Sequence, residues 1–278
     1  MDNEFGRVTS RDGTSIAFER MGRGAPLILV VGAFNDRSTG VPLASALGTD
    51  FAVYTYDRRG RGDSGDSGDS GDGATYAVAR EIDDLGALIA EAGGEAAVFG
   101  YSSGAVLALE AASAGLPISA LVLYDLPLMT EDRGPRWSVD HGSRLRELVG
   151  SGRRGDAVEY FQSMIVGIPD DVVAQMRHAP FRPALEAIAH TLVYEAAILG
   201  DGLLRRDLAR AIATPLLALV GERTTPFMVE TAHELAEAVR DGRSLVLAGQ
   251  GHDIEPRVVG PVVADFLGLP VSRWRTSG

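Results

Sequence analysis

Residues 96–107 read AAVFGYSSGAVL. Their first half is a short apolar run typical of a buried strand, and their last residues open a segment rich in Ala and Leu that is typical of a helix. The residues at 100–104, GYSSG, match the pattern G-x-S-x-G. A serine on such a sharp turn projects its hydroxyl above the sheet, and the glycines let strand and helix approach closely. The context predicts a nucleophile at Ser102, with a plain glycine-rich turn as the alternative.

Short apolar runs bounded by turn residues recur along the chain, and helical patterns lie between them. This alternation predicts an α/β fold, with a mostly parallel eight-stranded sheet and helices on both faces. The predicted strands lie at 26–31, 51–56, 96–100, 119–124, 214–221 and 243–248, after a leading hairpin at 5–10 and 14–20. The predicted core helices lie at about 40–48, 76–92, 103–115, 229–240 and 256–267.

The alternation breaks after Asp125. Up to Thr214 the sequence shows helical patterns but no strand, at 142–150, 154–166, 170–178 and 182–198. We therefore predict an α/β core at 1–126 and 213–278, interrupted by a helical cap at 127–212. A cap inserted between two strands lies over their carboxyl ends, where open α/β sheets bind ligands.

Composition narrows the classes of function. A net charge of −12 disfavours binding to nucleic acid or to anionic membrane surfaces. No apolar run reaches the roughly 18 residues of a membrane span, and the first residues lack the features of a signal peptide, so we expect a cytoplasmic protein. The chain has no cysteine, and its histidines lack metal-binding spacing. We expect no cofactor and no metal. The expected partner is a small-molecule substrate, and the sequence leaves open whether the chain forms a homodimer.

The segment at 61–73 reads RGDSGDSGDSGDG. This repeat of small and acidic residues offers too little apolar surface to fold by itself, which predicts a mobile loop. A calcium site built from its aspartates is the alternative, although the spacing is not that of an EF-hand.

A serine hydroxyl needs a base that removes its proton. His252 lies in a glycine-flanked segment after the last predicted strand, where a loop can return it to the top of the sheet; a surface histidine is the alternative. A carboxylate must then orient the imidazole. Asp125, which ends the strand at 119–124, is the favoured acid, and Glu222 is the alternative. Asp253 is less favoured, because a residue adjacent to the histidine usually points away.

Acyl transfer also needs two hydrogen-bond donors aimed at the oxyanion. The backbone N–H of Ser103 is one candidate, and the loop after strand 26–31 offers the other at Ala33, with Phe34 beside it. Tyr101 and the cap residue His190 are the candidate substrate-binding residues. A hydrogen-bonded structural role is the alternative for His190. Apolar residues in the cap suggest a hydrophobic acyl or ring substrate, although such spacing also fits a core.

Together these motifs resemble the α/β-hydrolase superfamily from about residue 5 to 268. The resemblance rests on GYSSG, on Gly251-His252, and on YDRRGRGDS at 56–64, which is similar to the family segment D-x-x-G-x-G-x-S. It implies a serine hydrolase of the carboxylic-ester type, acting on a small ester, lactone or related acyl substrate through a Ser-His-acid triad and an acyl-enzyme. A cofactor-independent lyase or biosynthetic cyclase, or a non-catalytic ligand-binding protein, are the alternatives.

A closer likeness is to bacterial α/β-hydrolases with YDRRGRG and GxSSG motifs, members of which often carry a carboxylate at the place of Asp125. The chain departs from the family pattern twice. Val31-Gly32 stands where the family has His-Gly before the oxyanion loop, and a threonine stands near 224 where an aspartate is expected. The second departure favours Asp125 as a displaced acid.

Overall fold

Eight strands form the central sheet of the protein, whose computed structural model describes residues 3–66, 76–134, 137 and 139–268. The strands are β1 (Asn3–Thr9), β2 (Ser15–Met21), β3 (Ala25–Val30), β4 (Phe51–Tyr56), β5 (Ala96–Tyr101), β6 (Ile118–Tyr124), β7 (Leu216–Gly221) and β8 (Gly242–Leu247). Their order across the sheet is β1-β2-β4-β3-β5-β6-β7-β8. β1 and β2 form an antiparallel hairpin, β2 also pairs antiparallel with β4, and the other neighbours are parallel. The mostly parallel α/β fold expected from the sequence is confirmed.

Helices cover both faces of this sheet. The α-helices of the described residues are α1 (Val41–Leu47), α2 (Val78–Glu91), α3 (Ser103–Ser113), α4 (His141–Gly150), α5 (Arg154–Tyr160), α6 (Asp170–Met176), α7 (Arg182–Ala187), α8 (Thr191–Leu199), α9 (Arg206–Ala211), α10 (Pro226–Ala238) and α11 (Pro256–Phe266). α1 and α11 share an apolar core with one face, and α2, α3 and α10 with the other. β4 and β5 are buried along their whole length, which explains their nearly continuous apolar sequence. No helix in the described ranges is long and apolar enough to cross a membrane.

The chain between β6 and β7 is helical. It contains α4 to α9 and a π-helical segment at Phe161–Val166. The described residues of this region add one isolated β-bridge, between Met129 and Leu203. This agrees with the helical content expected for 127–212, while the division of the chain into core and cap stays a prediction.

Two of the helices expected in this region have different bounds. The helix expected at 154–166 leaves α-helical geometry after Tyr160 and continues as the π-helical segment. Such a change of hydrogen-bond step leaves no mark in the periodicity of apolar residues. The helix expected at 182–198 is interrupted. There the Ile188 carbonyl accepts from both the amide and the hydroxyl of Thr191, at 2.9 and 2.8 Å, and the resulting turn separates α7 from α8.

The loop expected to be mobile at 61–73 is anchored where the structure describes it; its residues 67–73 lie outside the described residues. The Ser64 hydroxyl donates to a backbone carbonyl at 2.6 Å and accepts from a β2 amide at 2.8 Å. The Asp66 carboxylate accepts from the Tyr194 hydroxyl at 2.6 Å. Polar partners on other elements therefore hold the described part, although it has little apolar area to bury, and the mobility of the loop stays a prediction.

The sharp turn between β5 and α3 depends on two glycines. A Cβ atom at Gly104 would lie 2.3 Å from the Val30 carbonyl oxygen, and one at Gly100 would lie 2.6 Å from the Ala105 Cα. Both contacts are with backbone, which cannot rotate away as a side chain can. The close approach of β3, β5 and α3 therefore excludes any side chain at these two positions.

We expect Gly104→Ala to lower the free energy of unfolding by at least about 2 kcal/mol, because the added methyl group forces the α3 backbone away from β3. Gly86→Ala is the matched control. Gly86 lies inside α2, where an added Cβ meets nothing closer than 3.9 Å. The control should gain about 0.5–1 kcal/mol from the higher helix propensity of alanine. Urea unfolding of both variants measures the difference, and a Gly104→Ala protein as stable as wild type would contradict the packing argument.

Candidate active site

Ser102 lies on the turn between β5 and α3 in a strained backbone conformation. Its φ is 56° and its ψ is −126°, a region that costs a non-glycine residue on the order of 1–3 kcal/mol. The surrounding structure holds it there: the Ser102 amide donates to the Tyr124 carbonyl at 3.0 Å. The loop after β3 also approaches closely, since a Cβ atom at Gly32 would lie 2.9 Å from the Ser102 Cβ. Ser102 lines a cavity of about 680 Å³.

His252 and Asp125 meet beside this turn. The His252 Nδ1 lies 2.9 Å from Oδ2 of Asp125. Asp125 follows β6 and is fully buried, and its other carboxylate oxygen accepts from the Gly221 amide at 2.9 Å. The Tyr124 hydroxyl donates to the Gly251 carbonyl at 2.7 Å and so holds the loop that carries the histidine. His252 lines the same cavity as Ser102.

The charge of Asp125 depends on these contacts. Burial raises the pKa of the Asp125 carboxyl, while its hydrogen bonds to His252 and to the Gly221 amide oppose the rise. An ionised carboxylate only accepts hydrogen bonds, so the His252 proton is assigned to Nδ1, which leaves Nε2 free to accept a proton. A positive charge on the imidazole would then lie directly against a buried negative charge.

The other two candidate acids have different surroundings. The Glu222 carboxylate accepts from the Gly249 amide at 2.7 Å and is exposed to solvent. Asp253 lines the cavity beside His252, although the sequence suggested that it would point away. The structure thus brings Asp125 to the imidazole, places Glu222 at the base of the histidine loop, and adds Asp253 to the cavity wall.

The candidate oxyanion donors come from two segments, the loop after β3 and the first residue of α3. Ala33, Phe34 and Ser103 all line the cavity. Ser103 begins α3, where the helix dipole favours negative charge. Phe34 has a φ of 63°, and its ring packs edge-on against Phe161 with the centroids 5.3 Å apart. The loop after β3 is therefore joined to the π-helical segment by an aromatic contact.

The walls of the cavity are mostly apolar. Residues between β6 and β7 supply much of this surface, including Phe161, Ile165, Met176, Phe181 and Leu185. Polar groups come from Asn35, Gln162 and Asp253, and no described lining residue is an arginine. Gln162 is buried, and its side-chain oxygen has no hydrogen-bond partner within the described part of the chain. Gln162 could not be predicted from the sequence, because helical periodicity does not distinguish a residue facing a cavity from one facing the core.

The two predicted substrate-binding residues have different places. Tyr101 lines the cavity, and its ring centroid lies 5.0 Å from that of His252. His190 is not among the residues that line it. The His190 Nε2 lies 3.6 Å from the Asp66 carboxylate, and the ring packs edge-on against Tyr194. The turn between α7 and α8 directs His190 toward the anchored loop after β4, and burial lowers its pKa. The structural alternative fits these surroundings better than substrate contact.

No group of three or more His, Asp or Glu side chains within the described part of the chain is placed to hold a metal ion.

The chain matches the sequence model of the alpha/beta hydrolase family over residues 27–260. It is similar to the crystal structure of an alpha/beta hydrolase from Sphaerobacter thermophilus DSM 20745, with 46% identity, a TM-score of 0.86, and coverage of 94% of this chain and 100% of that chain. No curated protein sequence matches it significantly.

More distant structures share the fold. An esterase from Rhodococcus sp. ECU1013 is 21% identical with a TM-score of 0.67, covering 96% of this chain and 99% of that chain. The enol-lactonase from Burkholderia xenovorans LB400 is 22% identical with a TM-score of 0.67, covering 94% of this chain and 99% of that chain. The family match runs from β3 into α11 and includes the turn at Ser102 and the histidine loop. The chain belongs to the alpha/beta hydrolase family.

Proposed function

We propose that the protein is a serine hydrolase that cleaves a small, neutral, largely apolar ester, lactone or related acyl substrate. The proposal is carried by the 2.9 Å contact between His252 Nδ1 and the buried Asp125, next to a serine on a strained turn that opens into an apolar cavity. Family membership supports hydrolytic chemistry, and the names of two solved structures of the same fold, an esterase and an enol-lactonase, describe reactions of this kind.

The proposed reaction uses each group in turn. The Ser102 hydroxyl attacks the substrate carbonyl while His252 Nε2 takes its proton, and the imidazolium is stabilised by Asp125. The oxyanion accepts hydrogen bonds from the backbone N–H groups of Ala33 and Ser103. The C–O bond to the leaving alcohol then breaks, the imidazolium returns its proton to that oxygen, and Ser102 carries the acyl group. Water, deprotonated by His252, attacks the acyl-enzyme, and the released Ser102 oxygen regains a proton from the imidazolium.

The cavity favours a neutral substrate. Its volume of about 680 Å³ lies within the range of small-molecule sites. A substrate carboxylate would find no arginine among the described lining residues and would face Asp253, in a protein of net charge −12. Both features raise the cost of bringing an anion into an apolar site. The acyl and alcohol parts of the substrate are therefore expected to be uncharged.

Replacing Ser102 by Ala is expected to abolish hydrolysis of short p-nitrophenyl esters, because it removes the nucleophile. The measurement is the release of p-nitrophenolate. A fluorophosphonate probe should label the wild-type protein and leave Ser102→Ala unlabelled. Ser113→Ala, the same change at the other end of α3, is the matched control and should keep full activity and labelling.

The double variant Ser102→Ala, His252→Ala should be no slower than either single variant, because the two groups act as a unit. Wild-type turnover by Ser102→Ala would contradict the proposal. A wild-type protein that resists the probe and hydrolyses no ester would instead favour a ligand-binding protein.

Asp125→Asn is expected to lower turnover by up to about ten-thousandfold, the precedent for a triad acid. The asparagine oxygen can keep the hydrogen bond from the Gly221 amide, so the fold is preserved. Its NH₂ group then faces His252 Nδ1, which forces the proton onto Nε2 and leaves no base for the serine. Glu222→Gln is the matched control and should keep nearly all activity. If Glu222→Gln lost turnover while Asp125→Asn kept it, the triad acid would be Glu222 rather than Asp125.

Asp253→Asn is expected to raise kcat/KM for an ester that carries a carboxylate by roughly fivefold, which corresponds to about 1 kcal/mol of repulsion between exposed charges. Its kcat/KM for a neutral ester of the same length should stay close to wild type. Asp265→Asn makes the same change of net charge at an exposed position of α11. It should alter kcat/KM for neither ester. The gain should shrink at high salt; an equal gain for both substrates would rule out a charge effect.

A further inference from the structure

A buried cluster of charged side chains lies behind the loop that follows β3. Arg58 and Arg61 belong to the segment after β4, and both are almost fully buried together with Glu81 of α2 and Glu195 of α8. The cluster pairs two cations with two anions. Its hydrogen bonding is incomplete among the described residues, where Arg61 Nε and Glu195 Oε2 are buried without a partner. A buried ion cluster of this kind is by itself weak evidence for stability.

The arginines bind backbone carbonyls of the loop after β3. Arg61 Nη1 donates to the Gly32 carbonyl at 2.7 Å and to the Asn35 carbonyl at 3.1 Å. Arg58 Nη1 donates to the Val31 carbonyl at 3.3 Å. This is the loop that carries Ala33, the proposed oxyanion donor. Two guanidinium groups thus orient the carbonyls of a loop that has no regular secondary structure of its own.

Carboxylates hold the two guanidinium groups in place. Glu195 Oε1 accepts from Arg58 Nη1 at 2.8 Å and also from Arg61 Nη2. Glu81 accepts from Nε and Nη2 of Arg58 at 2.7 and 2.8 Å. Because Glu195 lies on α8, a helix between β6 and β7 contributes to the position of Arg61.

The direction of the Ala33 N–H follows from the direction of the Gly32 carbonyl. Both groups belong to one planar peptide unit, and in a trans unit they point to opposite sides. The described backbone contains no cis peptide. With its carbonyl bound to Arg61, this peptide turns the Ala33 N–H away from the guanidinium. Ala33 lines the cavity, so the opposite side is the side of Ser102.

We propose that Arg61 is a positioning residue for catalysis, which holds the Gly32–Ala33 peptide so that the Ala33 N–H meets the oxyanion. The proposal rests on the proposed serine hydrolase function. A charged donor on the carbonyl also polarises the peptide unit, and this strengthens its N–H as a donor. Preorganisation of this kind acts on the transition state more than on bound substrate, because the donor is aimed at charge that develops during the reaction.

The test compares Arg61→Lys with Arg59→Lys. Arg59 is equally buried in the same loop, but it donates to Asp84 of α2 and to Asp12. Lysine keeps the charge and loses the planar fork that binds the carbonyls and Glu195 together. Both variants should unfold at lower urea concentration than wild type. Arg61→Lys alone should lower kcat by about tenfold to a hundredfold, short of the loss seen when an oxyanion donor is removed, with KM nearly unchanged.

The affinity of a trifluoromethyl ketone analogue of the ester provides a second measurement, which a lower stability of the folded protein does not change. The ketone adds to the serine and places an oxyanion in the hole, so its affinity should fall in Arg61→Lys by the same factor as kcat. The affinity of an unreactive amide analogue should stay unchanged. If Arg61→Lys does not fold, Glu195→Gln weakens the hold on Arg61 with little change of shape. This variant should then show a smaller loss of the same kind, in kcat and in ketone affinity but not in KM.

The outcomes separate this inference from the function on which it rests. A wild type that hydrolyses the ester, with Arg61→Lys and Glu195→Gln matching Arg59→Lys in kcat and ketone affinity, would overturn the role of Arg61 alone. Equal losses of ketone and amide affinity would also overturn it, because they indicate a distorted pocket. A wild type that neither hydrolyses the ester nor binds the ketone would overturn the proposed function itself.

Discussion

The close approach of β3, β5 and α3 is the constraint on which the rest of the site depends. Gly100 and Gly104 leave no room for a Cβ between strand and helix, and Gly32 leaves none beside Ser102. This packing stabilises the strained backbone conformation of Ser102, since the turn cannot relax without separating three buried elements. It also brings the loop after β3 and the first residue of α3 to the same cavity as Ser102. A side chain at any of the three glycines would move these parts relative to one another.

The position of the acid follows from the way neighbouring parallel strands end. β6 and β7 are adjacent, so a carboxylate just beyond β6 can reach both the last amide of β7 and a histidine in the loop after β8. Asp125 uses one oxygen for each, which fixes the orientation of its carboxylate. Glu222 directly follows the last residue of β7, and its carboxylate instead accepts from the Gly249 amide within the histidine loop. The chain therefore keeps a carboxylate at the imidazole without an aspartate near residue 224.

The sequence predicted the parts of this protein that follow from local chemistry. Apolar runs located six strands, and the leading hairpin was predicted separately, all to within about two residues. Strand, serine, glycine and helix signals together identified the turn at Ser102. Long-range polar contacts left no such signal. Arg58 and Arg61 resemble surface arginines in the sequence, and only the fold shows that Glu195, far along the chain, lies against both. The same limit explains the described part of the loop after β4, where Asp66 is held by Tyr194 rather than by apolar burial.

The helices between β6 and β7 act on the site through two separate segments. The π-helical segment supplies Phe161 and Gln162 to the cavity wall. α8 supplies Glu195 to the arginines behind the loop after β3. The first contribution can change with little effect on charge, because its side chains are apolar or neutral. The second cannot, because loss of Glu195 would leave two buried guanidinium groups short of a carboxylate. Substitutions in the π-helical segment can therefore alter the shape of the cavity, and so the shape of the substrate it accepts, without disturbing the fold. On α8, by contrast, the Glu195 carboxylate is needed for the loop after β3 to hold its conformation.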